Sequence, residues 1–114
     1  MFTSLLVNAQ NNSLTPFEKG NKNQSTTYEE CVSFYQLLDT NSDKIEMKTM
    51  GLTDSGKPLH IVVFSENKDF SFNQNKAVLL VNNGIHPGEP DGIDATMMLM
   101  RDLAIAKIKV PKNT

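Results

Sequence analysis

The stretch "VNNGIHPGEPDG", residues 81–92, decides how the rest of the chain is read. It follows an apolar run, "AVLLVN" (77–82), whose branched side chains predict a buried strand. A helix is expected after it, at about 90–105, with Pro90 in its first turn and Ile93, Met97, Met100 and Ala104 as its inward stripe. Asn83-Gly84 would suit a tight hairpin turn. Pro87 and Pro90 argue against a returning strand, because each removes a ladder donor. The stretch therefore reads as a strand-to-helix connection, at the strand edge where open α/β sheets bind ligands. His86 and Glu89 lie on it, and imidazole and carboxylate are both zinc donors. A sharp turn at Pro87-Gly88 would let two residues three apart converge on one ion. The spacing also arises by chance, so a surface turn carrying two polar residues is the plain alternative. A third reading makes Glu89 a general base beside a metal held elsewhere.

Upstream of this stretch, "TTYEECVSFYQLLDTNSD" predicts a helix. Thr26 and Glu29 fit a capping box, and Tyr28, Cys31, Val32, Tyr35 and Leu38 share one face. "KIEMKTM" alternates, with Ile45, Met47 and Thr49 on one side and Lys44, Glu46 and Lys48 on the other, as a half-exposed strand does. "LHIVVFS" (59–65) is nearly all apolar and predicts a second, buried strand. Between them, "GLTDSGKP" (51–58) misses the phosphate-loop pattern by one residue. Pro58 stands where a hydroxyl must reach Mg²⁺, and a strand follows where a helix should cradle phosphate. The segment reads instead as a hairpin turn with Ser55-Gly56 at its tip. The order is α/β: helix, β-hairpin, buried strand, helix. Two helices cover both faces of such a sheet poorly, which suggests a fragment of a larger domain.

Composition narrows the function classes. Eleven Lys+Arg against thirteen Asp+Glu give a net charge of −2, too balanced to suggest nucleic acid or an anionic membrane as partner. No apolar stretch approaches the roughly 20 residues of a membrane span. The single cysteine, Cys31, excludes an internal disulfide and a thiolate metal site, and its place on the helix stripe reads as a buried structural thiol. His60 alternates along its strand and reads as a core histidine bonded to a neighbour. Residues 11–25 are dominated by Asn, Gln, Ser, Thr and Lys and read as a polar linker. Residues 1–10, "MFTSLLVNAQ", read either as the back half of a secretory signal peptide or as a slightly apolar, unstructured N-terminus. The first reading implies a secreted or periplasmic protein.

From about residue 26 onward the chain resembles the zinc carboxypeptidase family, the carboxypeptidase A-like metallocarboxypeptidases. "GIHPGEPDGIDA" resembles that family's first zinc-ligand segment. Gly51, Gly56, Lys57 and Leu59 match its G-x-S-x-x-G-[RK]-x-[IL] hairpin, with Thr53 in the serine position. The resemblance implies that residues 26–114 are the incomplete N-terminal part of a catalytic domain with a mixed-sheet carboxypeptidase-like fold, and that one Zn²⁺ is held by His86, Glu89 and a third protein ligand. It implies a peptide or protein substrate that loses its C-terminal residue. The family's second ligand histidine, its carboxylate-binding arginine and its catalytic glutamate all lie further downstream and have no counterpart in this sequence, so the chain alone is expected to be inactive. A zinc deacylase of N-acyl amino acids from the same superfamily shares a Gly–His–x–x–Glu segment and is the alternative. A non-catalytic metal-binding or interaction module is the reading from another class.

Overall fold

The computed structural model describes residues 14–71 and 75–114. The expected signal remnant, residues 1–10, lies outside them. Five elements follow in order: α1 (Pro16–Lys19), α2 (Tyr28–Asn41), β1 (Ile45–Leu52), β2 (Pro58–Phe64) and α3 (Asp91–Ala104). They make a small mixed α/β unit in which β1 and β2 form a two-stranded antiparallel sheet. No helix among the described residues is long and apolar enough to cross a membrane.

The alternation in "KIEMKTM" emerges as expected. Ile45 pairs with Phe64, Met47 with Val62 and Thr49 with His60, placing these six on one face of the hairpin. That face meets α2 and α3. Phe34 and Leu38 from α2, Ile45 from β1 and Met97 from α3 form the buried cluster, with Cys31, Tyr35, Val62, Phe64, Ile93, Met100 and Ala104 packed around it. The α3 stripe read from the sequence is thus the inward face. On α2 the sequence reading overlooked Phe34, which is buried and lies edge-on to Tyr35 with ring centroids 5.7 Å apart.

Four expectations need correction. Residues 77–82 form no strand and pair with neither β1 nor β2. Ala77 N–H reaches the Asn113 carbonyl at 2.8 Å instead, and Val78, Leu79 and Leu80 are 75%, 82% and 86% exposed. An apolar run becomes a central strand only when a ladder partner lies on each side, and none is offered here. For the same reason β2 is covered on one face only, leaving Leu59 and Ile61 exposed on the other.

The α2 capping box sits one residue later than expected. Thr27 is the N-cap, accepting from Glu30 N–H, while Thr27 N–H donates to the Glu30 carboxylate at 2.9 Å. Thr26 is freed from capping and donates to Asp94 of α3. Finally, part of the stretch read as a linker is folded. Thr15 caps the single turn α1 through a second capping box with Glu18, and Thr15 is fully buried. Glu18 then meets Arg101 of α3 at 2.5 Å, an ion pair with both side chains largely covered.

Candidate metal centre

The site is built on residues 83–90, the connection entering α3. Its backbone is shaped by two glycines. Gly88 has φ +86° with open space around it, so its conformation, rather than crowding, calls for glycine. Gly84 has φ +65° and also lies close to α3, where an added Cβ would come within 2.5 Å of Ile93 Cδ1. Pro90 serves as the N-cap of α3 and contributes no side-chain bond, while Asp91 and Asp94 place acidic groups in its first turn.

This turn brings the two expected ligands together. His86 Nδ1 and Glu89 Oε1 are 3.1 Å apart. Both side chains face solvent, at 75% and 58% exposure. Two donors bonded to a tetrahedral zinc at about 2.0–2.1 Å stand about 3.3–3.4 Å from each other. The observed pair therefore fits one edge of such a site with a shift of a few tenths of an ångström. The same distance is an ordinary hydrogen bond between the imidazole and the carboxylate, so the pair is also satisfied without an ion. Among the described residues no group of three or more His, Cys, Asp or Glu is placed to share a metal. Two open depressions, of about 710 and 550 Å³, lie elsewhere and contain neither His86 nor Glu89.

The remaining candidates are placed as follows. His60 sits opposite Thr49, its Nδ1 3.1 Å from Thr49 Oγ1, half-buried on the helix-facing side of the hairpin. Cys31 packs against the core, and burial, assisted by the negative charge of Asp94, pushes its thiol pKa up, away from a reactive thiolate. The hairpin motif forms the turn expected of it. Gly56 takes φ +77°, Met50 is the extra residue of a bulge before Gly51, and the Thr53 hydroxyl both accepts from Lys57 N–H at 3.1 Å and donates to its carbonyl at 3.0 Å. Lys57 carries the hairpin tip back to α2, bonding Glu29 at 2.7 Å and lying 4.4 Å from the Tyr28 ring centre.

Several polar residues around the site escaped the sequence reading. Asp94 is buried beneath Thr26, and Asn83 Nδ2 donates to Thr96 Oγ1 at 2.6 Å, tying the connection to α3. A threonine followed three residues later by glutamate occurs three times, at Thr15–Glu18, Thr26–Glu29 and Thr27–Glu30, and the first and last are the pairs that form caps. Nothing in the spacing of Asn83 and Thr96 marks them as partners. No protein-family model, curated protein or solved structure matches this chain.

Proposed function

We propose that this chain is the opening part of a zinc metallocarboxypeptidase catalytic domain, with His86 and Glu89 as two of its protein zinc ligands. The observation that supports the reading is the convergence of His86 Nδ1 and Glu89 Oε1 to 3.1 Å on a Pro-Gly turn that leads into a helix. The glycine hairpin at 51–59, which resembles the family's hairpin pattern with Thr53 in the serine position, adds to it.

In this reading Glu89 contributes negative charge and His86 a neutral nitrogen, the donor combination suited to a borderline ion such as Zn²⁺. Their exposure leaves the other coordination positions open to further ligands and to substrate. Zinc, when bound, supplies Lewis-acid activation of the scissile carbonyl and of water. In this reading the remaining ligand, the proton-relaying glutamate and the arginine that holds a substrate's terminal carboxylate are supplied by residues other than those of this chain. The exposed apolar faces of 77–81 and β2 are then surfaces on which the rest of a larger sheet packs.

The test is an assay of the protein encoded by the complete reading frame, on N-acylated dipeptides and on simple N-acyl amino acids. The proposal expects zinc-dependent release of the C-terminal residue from the dipeptides, abolished by His86→Ala and by Glu89→Ala. Hydrolysis confined to the N-acyl amino acids would instead make it a deacylase, and activity untouched by either substitution would refute the site.

A further inference from the structure

The connection that carries His86 and Glu89 is not held by those residues alone. A side-chain hydrogen bond fastens it to α3, where Asn83 Nδ2 donates to Thr96 Oγ1 at 2.6 Å. Gly92 lies one helical turn before Thr96 on the same face of α3. A Cβ on Gly92 would fall 2.5 Å from Asn83 Oδ1 and 2.8 Å from Asn83 Cγ. Gly92 therefore leaves the room in which the Asn83 amide lies, and Thr96 supplies the acceptor at its far end. Immediately after Asn83, Gly84 passes so close to Ile93 that an added Cβ would displace the Ile93 side chain. These contacts lie just before His86, while Pro90 and Asp91 anchor the other end of the connection as the start of α3.

We propose that Asn83 and Thr96, with Gly92 as the seat between them, are positioning residues that set the His86–Glu89 spacing. The inference rests on the metal-ligand reading above for its purpose, though the strut itself is a matter of geometry. Without it, residues 84–89 are tethered mainly by their ends. The chain then samples arrangements in which imidazole and carboxylate point apart, and an ion must pay for regathering them. A net hydrogen bond of ordinary strength corresponds to roughly a 3- to 10-fold change in such a local equilibrium.

Two readouts on the full 114-residue chain test this, with Asn83→Leu, Thr96→Val, Gly92→Ala and Thr96→Ser compared with the unmodified protein. The first is backbone ¹⁵N relaxation of residues 83–89. The unmodified chain should show order parameters near those of its helices, roughly 0.8, with a fall toward about 0.6 in Asn83→Leu, Thr96→Val and Gly92→Ala. Thr96→Ser, which keeps the hydroxyl, should restore rigidity. The second is Zn²⁺ titration by calorimetry, where the three disruptive variants should bind roughly 3- to 10-fold more weakly and Thr96→Ser should match the unmodified chain. Far-UV circular dichroism checks that α2 and α3 persist in each variant. A loop equally rigid in all variants, or already mobile in the unmodified chain, overturns the strut. A loop that loosens as expected in a chain that takes up no zinc at His86 and Glu89 supports the strut and removes the metallopeptidase reading instead.

Discussion

Replacing Met97 with alanine probes the packing on which the site stands. Met97 is fully buried at the meeting of α3, α2 and the hairpin, and the described core holds only four other buried apolar side chains: Phe34, Leu38, Ile45 and Leu103. A core this small puts total stability at the low end for a chain of 114 residues, about 6 kcal/mol. Truncating a buried methionine to alanine loses its transfer free energy and leaves a cavity, together about 2–5 kcal/mol. With a urea dependence of about 1–1.5 kcal/mol/M, the midpoint of unfolding should fall by roughly 1.5–5 M, leaving about 1–4 kcal/mol of stability in water. Met97→Leu, which keeps the volume, should lose under about 1.5 kcal/mol. Leu99→Ala, two residues on but 39% exposed, should stay within about 1 kcal/mol of the unmodified chain. Urea titrations followed by far-UV circular dichroism measure all three. A Met97→Ala midpoint as high as that of Leu99→Ala would refute the assigned core and the inward stripe of α3 with it.

Three further outcomes follow from the same contacts. The Glu18 carboxyl is raised by burial but lowered more strongly by Arg101 and by the Thr15 backbone and hydroxyl, leaving its pKa below the usual value of 4.5. Its contribution is therefore complete above that value and is lost as pH falls through the lower, folded one, so α1 should detach from α3 only below pH 4.5. Hydrogen exchange at residues 15–20 measures this, and Glu18→Gln should remove the pH dependence. Because Val78, Leu79, Leu80 and Ile85 are exposed together along one segment, the chain should bind a hydrophobic dye and self-associate with rising concentration. Leu79→Lys with Leu80→Lys should suppress both, and a dye-silent monomer with a sharp reversible melt would contradict the reading. Gly84→Ala and Gly88→Ala each force a residue into positive φ, at about 1–2 kcal/mol, but only Gly84→Ala also collides with Ile93. Its melting temperature should drop further, by several degrees more than that of Gly88→Ala.

What was legible in the sequence was whatever depends on neighbours along the chain. The alternation of β1, the hairpin tip at Ser55-Gly56 and the α3 stripe at Ile93, Met97, Met100 and Ala104 are local patterns with local causes. The turn at Pro87-Gly88 is of the same kind, and it leaves His86 Nδ1 3.1 Å from Glu89 Oε1. The strand expected at 77–82 failed because strand formation depends on partners distant in sequence, and apolar character alone does not supply them. The one-residue error at the start of α2 has a similar origin. Thr26 and Thr27 are equally good caps by type, and the choice is made by Asp94, 68 residues downstream of Thr26, which takes the Thr26 hydroxyl. Arg101 and Glu18 were invisible for the same reason, since nothing near either residue names the other.

The central claim is that His86 and Glu89 are zinc ligands, and Zn²⁺ titration of the 114-residue chain with its His86→Ala, Glu89→Ala and His60→Ala variants tests it most directly. Complete four-ligand zinc sites bind with about 10–16 kcal/mol, and two donors should supply roughly half of that, a Kd of about 1 μM to 0.2 mM. The account predicts one weak site, lost in His86→Ala and in Glu89→Ala and unchanged in His60→Ala. Binding that survives both site substitutions, or that disappears with His60, would contradict it.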